Sequence, residues 1–206
     1  MNRIYLAAAL AGALALSTTA AMAETQHMRG TLTAADGRNL TIATDSGETA
    51  KVTLNEDAPV FGVSATDAGA IQTGKFVGIT SIERDGVRTA VEVHVFAEAL
   101  RGVGEGHYPW SLPGAPNMMT NADVAKILVK GADRSLKVRY KTGKDKPMGE
   151  QTIAVPDGIP VVFIDNAKPE DLKAGAKVFL FAIPADDGGY TSPVIAVGLN
   201  GLTPPF

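Results

Sequence analysis

The residues best suited to chemistry gather in one stretch, 97–123, which reads AEALRGVGEGHYPWSLPGAPNMMTNAD. It holds Arg101, Glu105, His107, Tyr108, Met118, Met119 and Trp110, the only tryptophan of the chain. Imidazole and thioether ligands suit copper, and Cu(I) favours soft sulfur. On that reading His107, Met118 and Met119, with Glu105, are the candidate metal ligands. Against it, His107 and the methionine pair are well separated in irregular chain. Adjacent methionines would need an unusual turn to ligate together. Methionines also serve as gap fillers under a large ring such as Trp110.

The same stretch offers a second chemistry. Arg101 and Glu105 flank a glycine-rich turn. They either close a salt bridge that locks the loop or, with the amides of 102–106, form an anion pocket. The glycines lead into no helix, which excludes a Walker or Rossmann phosphate loop. Tyr108 and Trp110, on either side of Pro109, can stack a sugar or a peptide, or clamp the loop onto a neighbouring surface. The candidate ligand-binding set is therefore Arg101, Glu105, His107, Tyr108 and Trp110.

No catalytic constellation is legible, and the expectation is a protein that is not an enzyme. The chain has no cysteine, no G-x-S-x-G and no H-E-x-x-H. Ser111 lies in a proline-rich loop with no sign of an activated nucleophile. The calcium template D-x-[DN]-x-[DN]-G is missing. His94 alternates with Glu92 on what reads as the outer face of a strand, and His27 falls near a fraying end. No cofactor is predicted, copper being the one that the ligand types allow.

Around this stretch the chain repeats itself. Leu40 matches Leu136, Ile42 matches Val138, Pro59-Val60 matches Pro160-Val161, Val77 matches Val178, and Val95 matches Val197. The spacing drifts only at Gly/Asp turns, where insertions are cheap. Each copy reads as about five short strands of period two cut by such turns, the all-β signature. In the first copy the strands are Arg29–Ala34, Asn39–Thr44, Thr49–Leu54, Lys75–Ile82 and Val87–Phe96, with a non-strand stretch at Asn55–Gly74. Val87, Thr89, Val91, Val93 and Val95 are expected to share one face. Three strands, a crossover and two more strands is the order of an OB-type barrel, with an SH3-like or other small barrel as the alternative. In the second copy Val178 and Leu180 point one way, and Phe179 and Phe181 the other. A strand apolar on both faces is buried on both, so its second face should be covered by the other barrel or by the central stretch. Glycines and prolines in 98–123 argue against a regular helix or strand there, while its apolar residues make it an ordered connector.

The string Arg101-Gly102-Val103-Gly104-Glu105-Gly106-His107-Tyr108-Pro109-Trp110, followed by Met118-Met119-Thr120-Asn121-Ala122, resembles the hallmark of a family of exported bacterial proteins. The resemblance extends to Gln151–Pro156, to Asp171–Phe179 and to Pro204-Pro205. It implies paired β-barrel, OB-like domains of unknown function, and it carries over no catalytic chemistry. Some relatives bear a metal-transporter permease label, which the lack of a later membrane-spanning stretch does not support.

Residues 1–23 read as a secretory signal peptide. Arg3 is the positive start, Ile4 to Leu16 the apolar core, and Ala21-Met22-Ala23 the cleavage site. The expected organisation is a signal at 1–23, a first barrel at 24–97, the connector at 98–123 and a second barrel at 124–206. A formal net charge of −3 with no basic run makes nucleic acid a poor partner. The expectation is a periplasmic, non-catalytic binding or envelope-accessory protein with a protein, glycan or metal partner. Copper-type metal handling through His107, Met118 and Met119 is the alternative, and an enzyme of unknown class stands third.

Overall fold

The computed structural model describes residues 24–131 and 133–206, so the expected signal segment lies outside the described residues. The architecture is all-β, a closed five-strand barrel with further strands. β1 (Gln26–Asp36), β2 (Asn39–Thr44) and β3 (Thr49–Leu54) form an antiparallel meander, and β4 (Val60–Ala65) leaves it. β5 (Phe76–Arg84) and β6 (Val87–Phe96) form a hairpin. Its turn is Asp85-Gly86, both at positive φ, the geometry that matches strand twist in a two-residue hairpin. After β7 (Gly106–Trp110), a second meander follows in β8 (Asn117–Lys130), β9 (Asp133–Lys141) and β10 (Met148–Ala154). β11 (Val161–Asn166), β12 (Lys177–Pro184), β13 (Tyr190–Ser192) and β14 (Ile195–Gly198) complete the chain.

The halves of the chain are exchanged rather than side by side. The closed barrel runs β5–β6–β10–β9–β8 and back to β5, so its strands come from both halves. The other meander closes in the same way, β1–β2–β3–β13–β12 and back to β1. Between these rings β14, β4 and β11 form a bridge, with β14 on β12 and β11 on β6. The expected boundaries at 97 and 123 therefore do not separate sheets. The pairings recur at the matched positions: Ile195 lies opposite Val60, and Val93 opposite Val161.

Three apolar cores follow from this arrangement. Leu32, Leu40, Ile42, Val52, Val178 and Leu180 fill one ring, and Val77, Ile79, Val93, Leu136, Val138 and Ile153 fill the other. A third core lies between the rings, built on Phe76, Phe96, Met119, Phe179 and Phe206. β12 carries the alternation read from sequence, with Val178 and Leu180 in the first ring and Phe179 and Phe181 in the middle.

Three local expectations are corrected. The stretch Asn55–Gly74 contains a strand, β4, which is paired on both sides. The connector also contains a strand, β7, despite Gly106 and Pro109. β7 sits at an edge, paired with β8, where a residue without an N–H costs no ladder bond. Finally, β6 bulges at Val91, because Thr80 lies opposite Glu92 and Ser81 opposite Ala90. A bulge inverts the alternation that follows. Ala90 joins Val93 and Val95 in the barrel core, while Glu92 and His94 turn toward the middle of the molecule.

Candidate functional site

The middle layer holds a cavity of about 380 Å³. β4 supplies Phe61, β6 supplies His94 and Phe96, β7 supplies Tyr108 and Trp110, and β12 supplies Phe179 and Phe181. Trp110 packs on Phe179 and Phe181 with ring centroids 5.7 and 5.9 Å apart. The His27 ring lies 4.3 Å from Trp110, and Ser111 bonds to His27 Nδ1. Arg29 ties the neighbouring segments together, donating from Nε to the Phe206 carbonyl at 3.0 Å and from Nη2 to the Ser111 carbonyl at 3.2 Å. Burial pushes the Arg29 guanidinium and the His27 imidazole below their usual values, with Arg29 adding to the effect on His27 and Asp45 opposing that on Arg29. Burial raises the Tyr108 phenol, whose hydroxyl donates to the Gly104 carbonyl at 3.2 Å.

Strand alternation in β7 and β8 splits the residues singled out from sequence. Tyr108 and Trp110 face the cavity together with Met119. His107 lies on the opposite face, with Nδ1 2.8 Å from Thr120 Oγ1 and its ring 5.9 Å from Tyr140. Burial lowers its imidazole, and Arg88 adds to the effect. Neighbours on a strand point to opposite faces, so Met118 and Met119 are directed apart. Among the described residues no group of three or more histidines and carboxylates stands where it could hold one metal ion.

Arg101 and Glu105 do not pair with each other, contrary to the salt-bridge expectation. Arg101 binds Glu98 at 2.5 and 2.8 Å, Asp123, and the Gly74 carbonyl at 2.8 Å. Glu105 accepts the Lys141 N–H at 2.9 Å and sits 3.4 Å from Lys141 Nζ. Both residues staple the loop before β7 to the barrel.

Sequence reasoning missed the polar part of the cavity wall. His94 and Glu92 are 3 % and 1 % exposed, so of the two roles open to them from the sequence, cross-strand or solvent-facing, the solvent-facing one is overturned. Glu92 accepts from the Thr80 hydroxyl, from the Thr80 N–H at 3.2 Å, and from His94 Nδ1 at 3.3 Å. Asn121 and Trp110 each carry a buried polar atom, Oδ1 and Nε1, with no hydrogen-bond partner among the described residues. A signal was present in the sequence. His94 matches Ala196, and Gly78 matches Phe179, a reciprocal exchange of large and small residues.

A larger groove of about 800 Å³ opens on the first ring, beside Gln26, Arg29, Glu48, Lys51, Asp187 and Tyr190. Its lining is polar and apolar in equal measure, with charged side chains of both signs. Comparisons with protein-family models, with curated proteins and with solved structures give no match for this chain.

Proposed function

We propose that this protein is a non-catalytic binding module of the bacterial envelope that holds a small apolar ligand in the aromatic cavity between its two rings. The observation that carries the reading is the cavity itself. Its volume falls in the range of small-molecule sites, and it joins apolar walls to a few polar groups. The strand exchange supports it, because a site between two interlocked rings is rigid before the ligand arrives, which reduces the ordering cost of binding. The two rings are read as OB-like barrels descended from one duplicated unit. A signal peptide at 1–23 would deliver the protein to the periplasm.

Fluorescence of N-phenyl-1-naphthylamine, an uncharged two-part aromatic probe, tests the reading. Saturable binding at one site, with loss of Trp110 emission, is expected. A probe signal that rises without saturating, with Trp110 unchanged, would overturn it.

A further inference from the structure

The two halves of the chain differ sharply at matched positions on the cavity wall. Aligning Val77 with Val178 and Val95 with Val197 sets Gly78 against Phe179, Thr80 against Phe181, Glu92 against Val194 and His94 against Ala196. Gly78 and His94 are register partners in one half, and Phe179 and Ala196 in the other. The fold thus buries apolar side chains at the places matched to Gly78 and His94, and holds half-buried ones at those matched to Thr80 and Glu92. Burying a carboxylate and an imidazole instead costs their hydration, and packing does not require it.

Glu92 is occupied by Thr80 and by His94 Nδ1, so it fixes the imidazole and leaves Nε2 as the free nitrogen. Nε2 has no hydrogen bond among the described residues. It lies over Gly78, where an added Cβ would come within 1.6 Å of it. Gly78 is also the register partner of Asn121, and Asn121 of Gly106. His94, Gly78, Asn121 and Gly106 therefore form one row across β6, β5, β8 and β7, with a glycine beside each polar side chain. The Asn121 amide donates to the Val103 carbonyl at 3.2 Å, while its Oδ1 is buried without a partner. His94 and Asn121 both line the cavity, and no lysine, arginine, aspartate or glutamate side chain does.

We infer that the cavity takes an uncharged aromatic molecule bearing a hydroxyl group, which donates to Asn121 Oδ1 on the wall that His94 Nε2 also lines. This rests on the cavity being the binding site. With its Nδ1–H on Glu92, His94 presents Nε2 as a second acceptor on the same cavity wall, so this wall calls for a ligand that donates, as a hydroxyl does. A carboxylate or phosphate would be buried with no cation in the cavity lining, the guanidinium of nearby Arg29 being engaged by the Phe206 and Ser111 carbonyls, and is disfavoured. Glu92 is a positioning residue here, acting through His94.

The test is calorimetric binding of three matched probes to the purified protein: 4-hydroxybiphenyl, 4-fluorobiphenyl and biphenyl-4-carboxylate. The hydroxy compound should bind about tenfold tighter than the fluoro compound, since only the former pairs the buried acceptor. The carboxylate should bind weakest. In Asn121→Leu the ratio of hydroxy to fluoro affinity, both read in the same variant so that any general loss of binding cancels, should fall toward one. Equal affinity of the hydroxy and fluoro compounds for the unaltered protein would overturn the inference and leave the cavity reading standing, with water satisfying Asn121. Binding of none of the three would overturn both.

Discussion

Gly78 and His94 face each other across β5 and β6, and the tip of the imidazole stands where a side chain at position 78 would be. The glycine is required by close approach and not by a turn, since the strand around it is regular. Gly78→Ala should force His94 off Glu92 and cost about 1–3 kcal/mol, the usual range for overpacking a core. Urea unfolding measures the loss. Discrimination between hydroxyl and fluoro probes should fall in the same variant. An alanine tolerated at no cost would mean that the imidazole is not held there.

Arg101, prominent in the sequence, should matter little. Its ion pairs to Glu98 and Asp123 are well exposed, and surface pairs contribute about 1 kcal/mol or less. Arg101→Ala should lower thermal stability slightly and leave probe affinity unchanged. A large loss of affinity would move the site from the aromatic cavity to the glycine-rich loop.

Acid should weaken the fold in a defined window. His27 and His107 both have imidazoles held below the ordinary value of 6.5, chiefly by burial. The unfolded chain therefore takes up protons near that value before the folded chain does. Stability is flat above it and falls as pH drops through it, levelling off below the folded values. Glu98 and Glu150, lowered mainly by their hydrogen bonds to basic partners, lose their contribution only at more acidic pH, below the ordinary carboxylate value of 4.5. Thermal melts at pH 7.5 and 5.5 should show a lower Tm at the acidic value, and His27→Gln with His107→Gln should reduce the difference. An unchanged difference in the double variant would assign the effect elsewhere.

Strand exchange makes each half of the chain incomplete. β1–β3 close their ring only with β12 and β13, and β8–β10 only with β5 and β6. Segments 24–97 and 98–206, produced separately, should each lack a cooperative melt and should regain one when mixed. A cooperative melt of 24–97 alone, followed by circular dichroism, would contradict the exchanged arrangement.

The particular residues show what was legible in the sequence. The two-faced apolar pattern of β12 located Phe179 and Phe181 under a cover, and the structure supplies that cover as Trp110. The turn between Ile82 and Val87 was equally clear, because turn chemistry is local, and the structure narrows it to Asp85-Gly86. Ala90 was misplaced because one extra residue, Val91, breaks the alternation before Glu92, and period counting does not register a bulge. His94 does lie on the outer face of its barrel, away from Val93 and Val95, but that face is covered by the middle layer. β7 was hidden by Gly106 and Pro109, which are compatible with an edge strand but carry no strand signal. The split of His107 from Tyr108, and of Met118 from Met119, followed once the connector became strand. Exchange between halves left no local mark, since period and turns describe a strand and not its partner.

The most direct test of the aromatic cavity as a binding site uses the single indole of the chain. Trp110 gives one indole N–H resonance, from a group that is buried and without a hydrogen-bond partner among the described residues. Titration with 4-hydroxybiphenyl should move that resonance along a saturable curve while the backbone resonances of β2 and β9, remote from the cavity, stay in place. An indole resonance that does not move up to the solubility limit of the probe, or that moves together with every other resonance, would contradict the account.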